Sequence, residues 1–184
     1  MKKITFFLTT AFFAFSAVAP ANADSYQYSP YAGIDYTYSY LTARDFKPHY
    51  NVAGLHIGSD YGQYFGTELF FNKSDGSKRR ISSGSVKTSY RSYGLDLMAY
   101  LPIDCSRRFA LIGTIGAGEY VFKTTFAPSK HHNEYAHGMR FGGGIKYALN
   151  KNWHARFITR YVHFDRSKLY DYAMEYGASI EYHF

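Results

Sequence analysis

Residues 172–184 read Tyr172-Ala-Met-Glu-Tyr-Gly-Ala-Ser-Ile-Glu-Tyr-His-Phe184. The even positions are Tyr172, Met174, Tyr176, Ala178, Ile180, Tyr182 and Phe184; the odd ones are Ala173, Glu175, Gly177, Ser179, Glu181 and His183. One face is wholly apolar and the other is small or polar, which is the period-two pattern of a strand. The stretch is longer than the usual strand of a soluble domain. A tilted strand that crosses a membrane needs about nine to eleven residues, and this one has that length.

Seven earlier segments alternate in the same way, over 31–40, 50–59, 64–72, 88–101, 109–122, 138–149 and 153–162. In 31–40, Ile34, Tyr36 and Tyr38 oppose Gly33, Asp35 and Thr37. In 138–149, Met139, Phe141 and Ile145 oppose Arg140, Gly142 and Gly144. The run 109–122 is strand-like, but both its faces are apolar or glycine, so its facing stays open. The connections alternate too: 41–49, 73–87, 123–137 and 163–171 are long, 60–63 and 150–152 are short, and 102–108 is intermediate. Membrane barrels have short periplasmic turns and longer extracellular loops. That rhythm predicts an even strand number with both termini in the periplasm. The expected fold is therefore all-β, a single eight-stranded antiparallel up-and-down transmembrane β-barrel.

A soluble β-sandwich is the competing architecture, since its strands also alternate. The strands here are long for one. The faces opposite the apolar ones also carry many glycines, which weaken a strand unless something must approach closely. A narrow barrel interior supplies that reason.

The N-terminus stands apart from the barrel. Lys2 and Lys3 precede an apolar stretch from Ile4 to Val18, and Ala21-Asn22-Ala23 is a small-residue cleavage pattern. Residues 1–23 are expected to be a secretory signal peptide rather than an anchor, leaving 24–184 as one barrel domain. After it, no run of 18 apolar residues offers a spanning helix. Cys105 is the only cysteine, so no intrachain disulfide forms; what its thiol does is not legible. The chain holds 20 Tyr and 16 Phe, residues that favour strands and form the rims of membrane barrels. The net charge is +7, of which the leader lysines contribute two. The bases form no continuous stripe, which speaks against a nucleic-acid partner.

On these residues the chain resembles the small outer-membrane β-barrel proteins of the OmpA/OmpX type, over its whole mature length. The resemblance rests on the terminal Tyr176, Ile180, Tyr182 and Phe184. It rests also on Tyr93-Gly-Leu-Asp-Leu, on Phe141-Gly-Gly-Gly-Ile-Lys-Tyr, and on Trp153 with Arg156, Arg160 and Tyr161. It implies insertion in the outer membrane of a Gram-negative bacterium. It also implies that the terminal residues act as the signal read by the barrel assembly machinery. The periplasmic peptidoglycan-binding domain of full-length OmpA proteins has no counterpart in this sequence.

Glu68, Asp96, Glu175 and Glu181 share the inward faces with Arg140, Lys146, Arg156 and Arg160. An eight-stranded interior is just wide enough for side chains to fill, and buried charges are costly unless paired. A structural ion-pair network that plugs the lumen is the expectation; a narrow porin is the alternative. Lys73, Lys78, Arg79, Arg80, Lys87 and Lys130 fall in long connections. There they are solvated or contact lipopolysaccharide phosphates, an anion suited to charge-assisted bonds from Arg. A host-surface ligand is a further option the residues do not specify.

No metal or cofactor is expected. His131, His132 and His137 lack the further ligands of a tetrahedral site, and Gly142-Gly143-Gly144 sits within a strand. Lipid A deacylases share the barrel class and use Ser, His and Glu near the C-terminus. Here His163 is followed by Asp165 where that family has Ser, and Ser167 is displaced. A nucleophile must lie within reach of its base. The expected role is therefore non-enzymatic: structural, or presenting a surface to the envelope or a host.

Overall fold

A computed structural model describes residues 28–43, 48–81, 84–106, 108–126, 130–165 and 170–184. Residues 1–27, which include the expected leader, lie outside it. Nine strand segments follow in chain order: β1 (Tyr28–Ala43), β2 (His49–Tyr61), β3 (Phe65–Ser74), β4 (Ser77–Ile81), β5 (Gly84–Pro102), β6 (Phe109–Phe126), β7 (Lys130–Ala148), β8 (Trp153–Asp165) and β9 (Tyr170–His183). β4 continues β3 beyond residues 75 and 76, and both pair with β5. The segments therefore make eight staves. Every pairing is antiparallel between neighbours, and β1 pairs with β9 to close the ring. Closure leaves no sheet edge, so the ladders satisfy the backbone within lipid. No helix in the described residues is long and apolar enough to cross a membrane; the crossing is made by strands.

All eight expected strands are present, and most extend past the boundaries read from the sequence. The connections differ more. The stretches 73–87 and 123–137 are not long loops. β3 runs to Ser74, β4 fills much of the first stretch and β5 starts at Gly84; β6 reaches Phe126 and β7 starts at Lys130. The apolar alternation fades there because these ends carry outward Lys73, Arg91, Lys123 and Asn133 in place of aliphatics. Hairpin hydrogen bonding continues without an apolar face.

Side-chain parity sorts the wall cleanly. Outward positions such as Ile34, Leu55, Phe65, Leu97, Ile115, Phe141, Phe157 and Ile180 are exposed, Ile34 at 62%. Such a patch suits lipid and not water. The facing of β6 is now defined. Phe109, Leu111 and Ile115 point out, while Ile112, Thr114, Tyr120 and Phe122 point in. The terminal Tyr176 and Ile180 lie on the exposed outer face of β9, Phe184 just past its end is exposed too, and Tyr182 is half-buried against Trp153.

Inward glycines make room for large neighbours. A Cβ on Gly94 or on Gly118 would strike the Phe70 ring and the backbone of the next strand. A Cβ on Gly116 would strike the Asp96 carboxylate and the Leu95 carbonyl. These glycines set how closely bulky side chains can fill the tube.

Candidate functional site: a filled lumen and a basic outer rim

The lumen is filled in two layers. The layer nearest the long-connection end is aromatic and aliphatic. Tyr50, Tyr90, Tyr120, Phe122, Phe164 and Tyr170 come from five staves and pack with Leu41, Val52 and Val162. The Phe122 ring stacks on Tyr170 at 4.3 Å between centroids and meets Phe164 edge-on at 5.6 Å. Tyr50 Oη hydrogen-bonds Thr88 Oγ1 at 2.7 Å. All these rings are at most 5% exposed, so this end of the tube has a lid of packed side chains.

Beneath it runs a ladder of charges. Arg140 donates to Glu175 at 3.4 Å and lies 3.6 Å from Asp96; its guanidinium stacks 3.6 Å above the Phe70 ring. Arg160 reaches Asp96 at 3.4 Å and Glu68 at 3.9 Å. Arg156 binds Glu68 at 2.6 Å, Glu181 at 3.4 Å and Asp35 at 3.8 Å, and its Nε donates to Ser179 at 2.8 Å. Tyr31 donates to Glu68 at 3.1 Å. Toward the short-turn end, Lys146 bridges Glu181 at 2.7 Å and Asp60 at 2.9 Å. His56 meets Asp35 at 2.7 Å, and His183 meets Glu181 at 3.1 Å. Met98, Tyr100, Ile112 and Ile158 pack alongside this lower part.

The eight charges read from inward parity, Glu68, Asp96, Arg140, Lys146, Arg156, Arg160, Glu175 and Glu181, are all buried and all lie in this ladder. Asp35, Asp60, His56 and His183 join it as well. Asp35, His56 and His183 stood on inward faces in the sequence, so parity alone could have added them. Asp60 has the same parity on β2, but the strand runs two residues beyond its expected end. The ladder therefore holds six carboxylates against four permanent cations rather than four against four. Parity would also have put Tyr50 and Tyr90 inward, beside His56 and Asp96, whereas Tyr120 and Phe122 lie on the strand whose facing stayed open and Phe164 and Tyr170 lie beyond the expected strand ends.

The outer wall changes character along its height. Above the aliphatic belt, β3, β5 and β6 present Lys73, Lys87, Arg91 and Lys123 outward and exposed. Register sets Lys73 opposite Arg91 and Lys123 opposite Ser89 on adjacent strands. Arg91 was not among the expected anion contacts, since it falls in an expected strand, whereas Lys123 opens the expected 123–137 connection and stands instead within β6. The side chains of Lys78, Arg79, Arg80 and Lys130 lie outside the described residues. Of the nearby acids, Asp75 is held by the Asn51 backbone and side-chain amides, each at 3.1 Å, and Glu119 stands on the outer face of β6 opposite Tyr93.

The deacylase-like set does not assemble. His163 points outward and is exposed, whereas Glu175 is buried inside the barrel; a stave wall separates the base from its orienter. Ser167 lies outside the described residues, as do the side chains of His131 and His132, while His137 faces outward. Cys105 is a free, exposed thiol in the 103–108 turn. Asp104 organises that turn. Its Oδ2 accepts from Ser106 Oγ and from the Arg108 amide at 3.1 Å, and its Oδ1 accepts from the Phe109 amide at 2.8 Å. The Ser106 hydroxyl, with these amides, holds the carboxyl below its ordinary range.

The model of the outer membrane protein beta-barrel domain family matches residues 7–184. The search of curated proteins finds no match. Among solved structures, Neisserial surface protein A (NspA) superposes with a TM-score of 0.73 at 11% identity, covering 86% of this chain and 99% of its own. Ail, the attachment invasion locus protein of Yersinia pestis, solved with the heparin analogue sucrose octasulfate, gives 0.63 at 16% identity over 86% and 99%. The N-terminal β-barrel domain of Pseudomonas aeruginosa OprF gives 0.59 at 12% identity over 86% and 100%. At these identities the likeness is one of fold, and the family places the barrel in the outer membrane. The chain belongs to the outer membrane protein beta-barrel domain family.

Proposed function

We propose that the protein is a non-conducting, non-enzymatic barrel whose outer rim binds the phosphates of lipopolysaccharide, stabilising the outer leaflet around it. Residues 1–23 direct its export, and Tyr176, Ile180, Tyr182 and Phe184 are offered to the assembly machinery. The observation that carries this reading is the division of the wall. An aliphatic belt gives way to exposed Lys73, Lys87, Arg91 and Lys123 on three adjacent staves. A band of cations at the edge of an apolar surface fits an amphiphile with anionic groups above acyl chains. The aromatic lid and ion-pair ladder fill the lumen, so the outer wall is the surface free to bind. That the related fold of Ail was solved with a sulfated sugar analogue supports an anion-binding exterior.

The test is binding of purified lipopolysaccharide to the barrel in detergent. Each exposed ion pair contributes ~0.2–1 kcal/mol. A Lys73→Ala, Arg91→Ala, Lys123→Ala triple variant should therefore weaken binding about tenfold. The loss should shrink as salt screens the contacts. Equal binding by the triple variant and the parent would refute the proposal.

A further inference from the structure

The short-turn end of the lumen holds donors that the ladder leaves underused. His154 stands opposite Glu181 in the β8–β9 pairing, and His183 follows Glu181 by two residues, so all three share the inner face. One ligand atom from each of His154, Glu181 and His183 lies within 4.8 Å of the other two. The two imidazole rings are 4.2 Å apart between centroids. His154 Nδ1 is shut off from solvent without a hydrogen-bond partner. Glu181 is fully buried, and its Oε2 has no hydrogen bond; it meets only the longer contacts to Arg156 at 3.4 Å and His56 at 3.7 Å. His183 is oriented from outside the set: Ser29 Oγ sits 3.0 Å from its Nδ1. Such a partner fixes the ring and aims the other nitrogen at Glu181, whose Oε1 lies 3.1 Å from it.

The charge inventory points the same way. Asp35, Asp60, Glu68, Asp96, Glu175 and Glu181 face Arg140, Lys146, Arg156 and Arg160 inside one tube. Even with His56 charged between Asp35 at 2.7 Å and Glu181 at 3.7 Å, the ladder is one positive charge short. Uncompensated charge is expensive in a low-dielectric interior. One divalent cation supplies the missing charge, and it would sit where the carboxylate is most heavily shared.

We propose that His154, His183 and Glu181 form a divalent transition-metal site at the periplasmic mouth of the barrel. Two imidazoles and one carboxylate with an open position are a donor set suited to zinc, and imidazole also suits copper and nickel. His154 is half-buried, which gives the ion a path from the mouth. Lys146 is the built-in competitor. Its Nζ lies 2.7 Å from Glu181 Oε1 and 3.4 Å from His183 Nε2. It also contacts Asp60 at 2.9 Å, so it keeps a carboxylate partner when a metal takes Glu181.

The experiment uses the protein extracted from membranes in detergent, stripped with chelator and titrated with Zn²⁺ at pH 7.5. Bound zinc is counted by elemental analysis after desalting. The expected result is one zinc per chain, with affinity falling about tenfold or more in His154→Ala and in His183→Ala. Lys146→Met should bind more tightly, a gain that a merely structural role for the histidines does not produce. His163→Ala and His137→Ala, both outward, should bind as the parent does. Heat-shifted migration on gels identifies folded variants, and His154→Gln serves where the alanine variant does not fold. Zinc binding unaffected by His154 and His183 changes, or lost on changing His131, His132 or His137, overturns the proposal. So does the absence of zinc binding by the parent protein.

Discussion

Replacing Arg156 with methionine is the most informative single perturbation of the lumen. Arg156 is 4% exposed and joins Glu68 at 2.6 Å, Glu181 at 3.4 Å, Asp35 at 3.8 Å and Ser179 at 2.8 Å. Methionine keeps the stem and removes the charge. Glu181 retains Lys146 at 2.7 Å, and Asp35 retains His56 at 2.7 Å. Glu68 is left with Arg160 at 3.9 Å and the Tyr31 hydroxyl. Breaking one side of a buried pair costs ~3–5 kcal/mol, because it strands the other charge. With the remaining partners counted, we expect the lower end, about 3 kcal/mol. The double variant Arg156→Met, Glu68→Gln removes the stranded charge as well and should recover about 1–2 kcal/mol of that loss. The assay is reversible urea unfolding of the barrel in lipid vesicles. It is followed by the emission of Trp153, the only tryptophan, which sits on the lipid face against Tyr182 at 5.1 Å. A loss under ~1 kcal/mol in the single variant, or a double variant no more stable than the single, would refute a desolvated, pair-stabilised lumen.

Three further variants test the same structure. Gly116→Ala drives a methyl into the Asp96 carboxylate and the Leu95 carbonyl and should destabilise by ~1–3 kcal/mol. Gly113→Ala, with nothing within 4 Å of the new atom, should be neutral or stabilising by up to ~1 kcal/mol; unfolding midpoints compare the two. Asp104→Asn should lower the urea midpoint at neutral pH, because the folded carboxyl is held below its ordinary range. A depressed carboxyl stabilises above its unfolded pKa and stops doing so as pH falls through the folded one. The gap between parent and variant should therefore close in acid, and midpoints measured across pH check it.

Periodicity carried the fold, because a barrel wall separates two solvents and each strand must match both. The facing of the strand ending at Phe184, and of six others, followed from residue parity alone. β6 did not, since its two faces read Leu111, Gly113 and Ile115 against Ile112, Thr114 and Gly116; both lipid and a packed lumen accept such residues. The extended hairpins of β3–β5 and β6–β7 escaped for the opposite reason. Outside lipid an outward lysine is as good as a leucine is within it, so the alternation that marks a strand vanishes while pairing persists. Charge marked the ladder, but Asp60 was hidden by a strand boundary. Of the lid, Tyr120 and Phe122 were hidden on the strand whose facing stayed open, while parity with Ser92 and Asp96 put Tyr90 inside. The link from Glu181 to His154 needs register, which pattern does not provide.

The measurement that tests the central claim most directly is planar-bilayer recording of the purified barrel. A lumen closed by the aromatic lid and crossed by the ion-pair ladder predicts no stable conductance steps in molar salt. It also predicts that steps appear only when the lid is removed, as in a Tyr90→Ala, Tyr120→Ala, Phe122→Ala variant. Stable, salt-dependent steps from the unmodified protein would contradict the closed lumen and make the barrel a narrow channel.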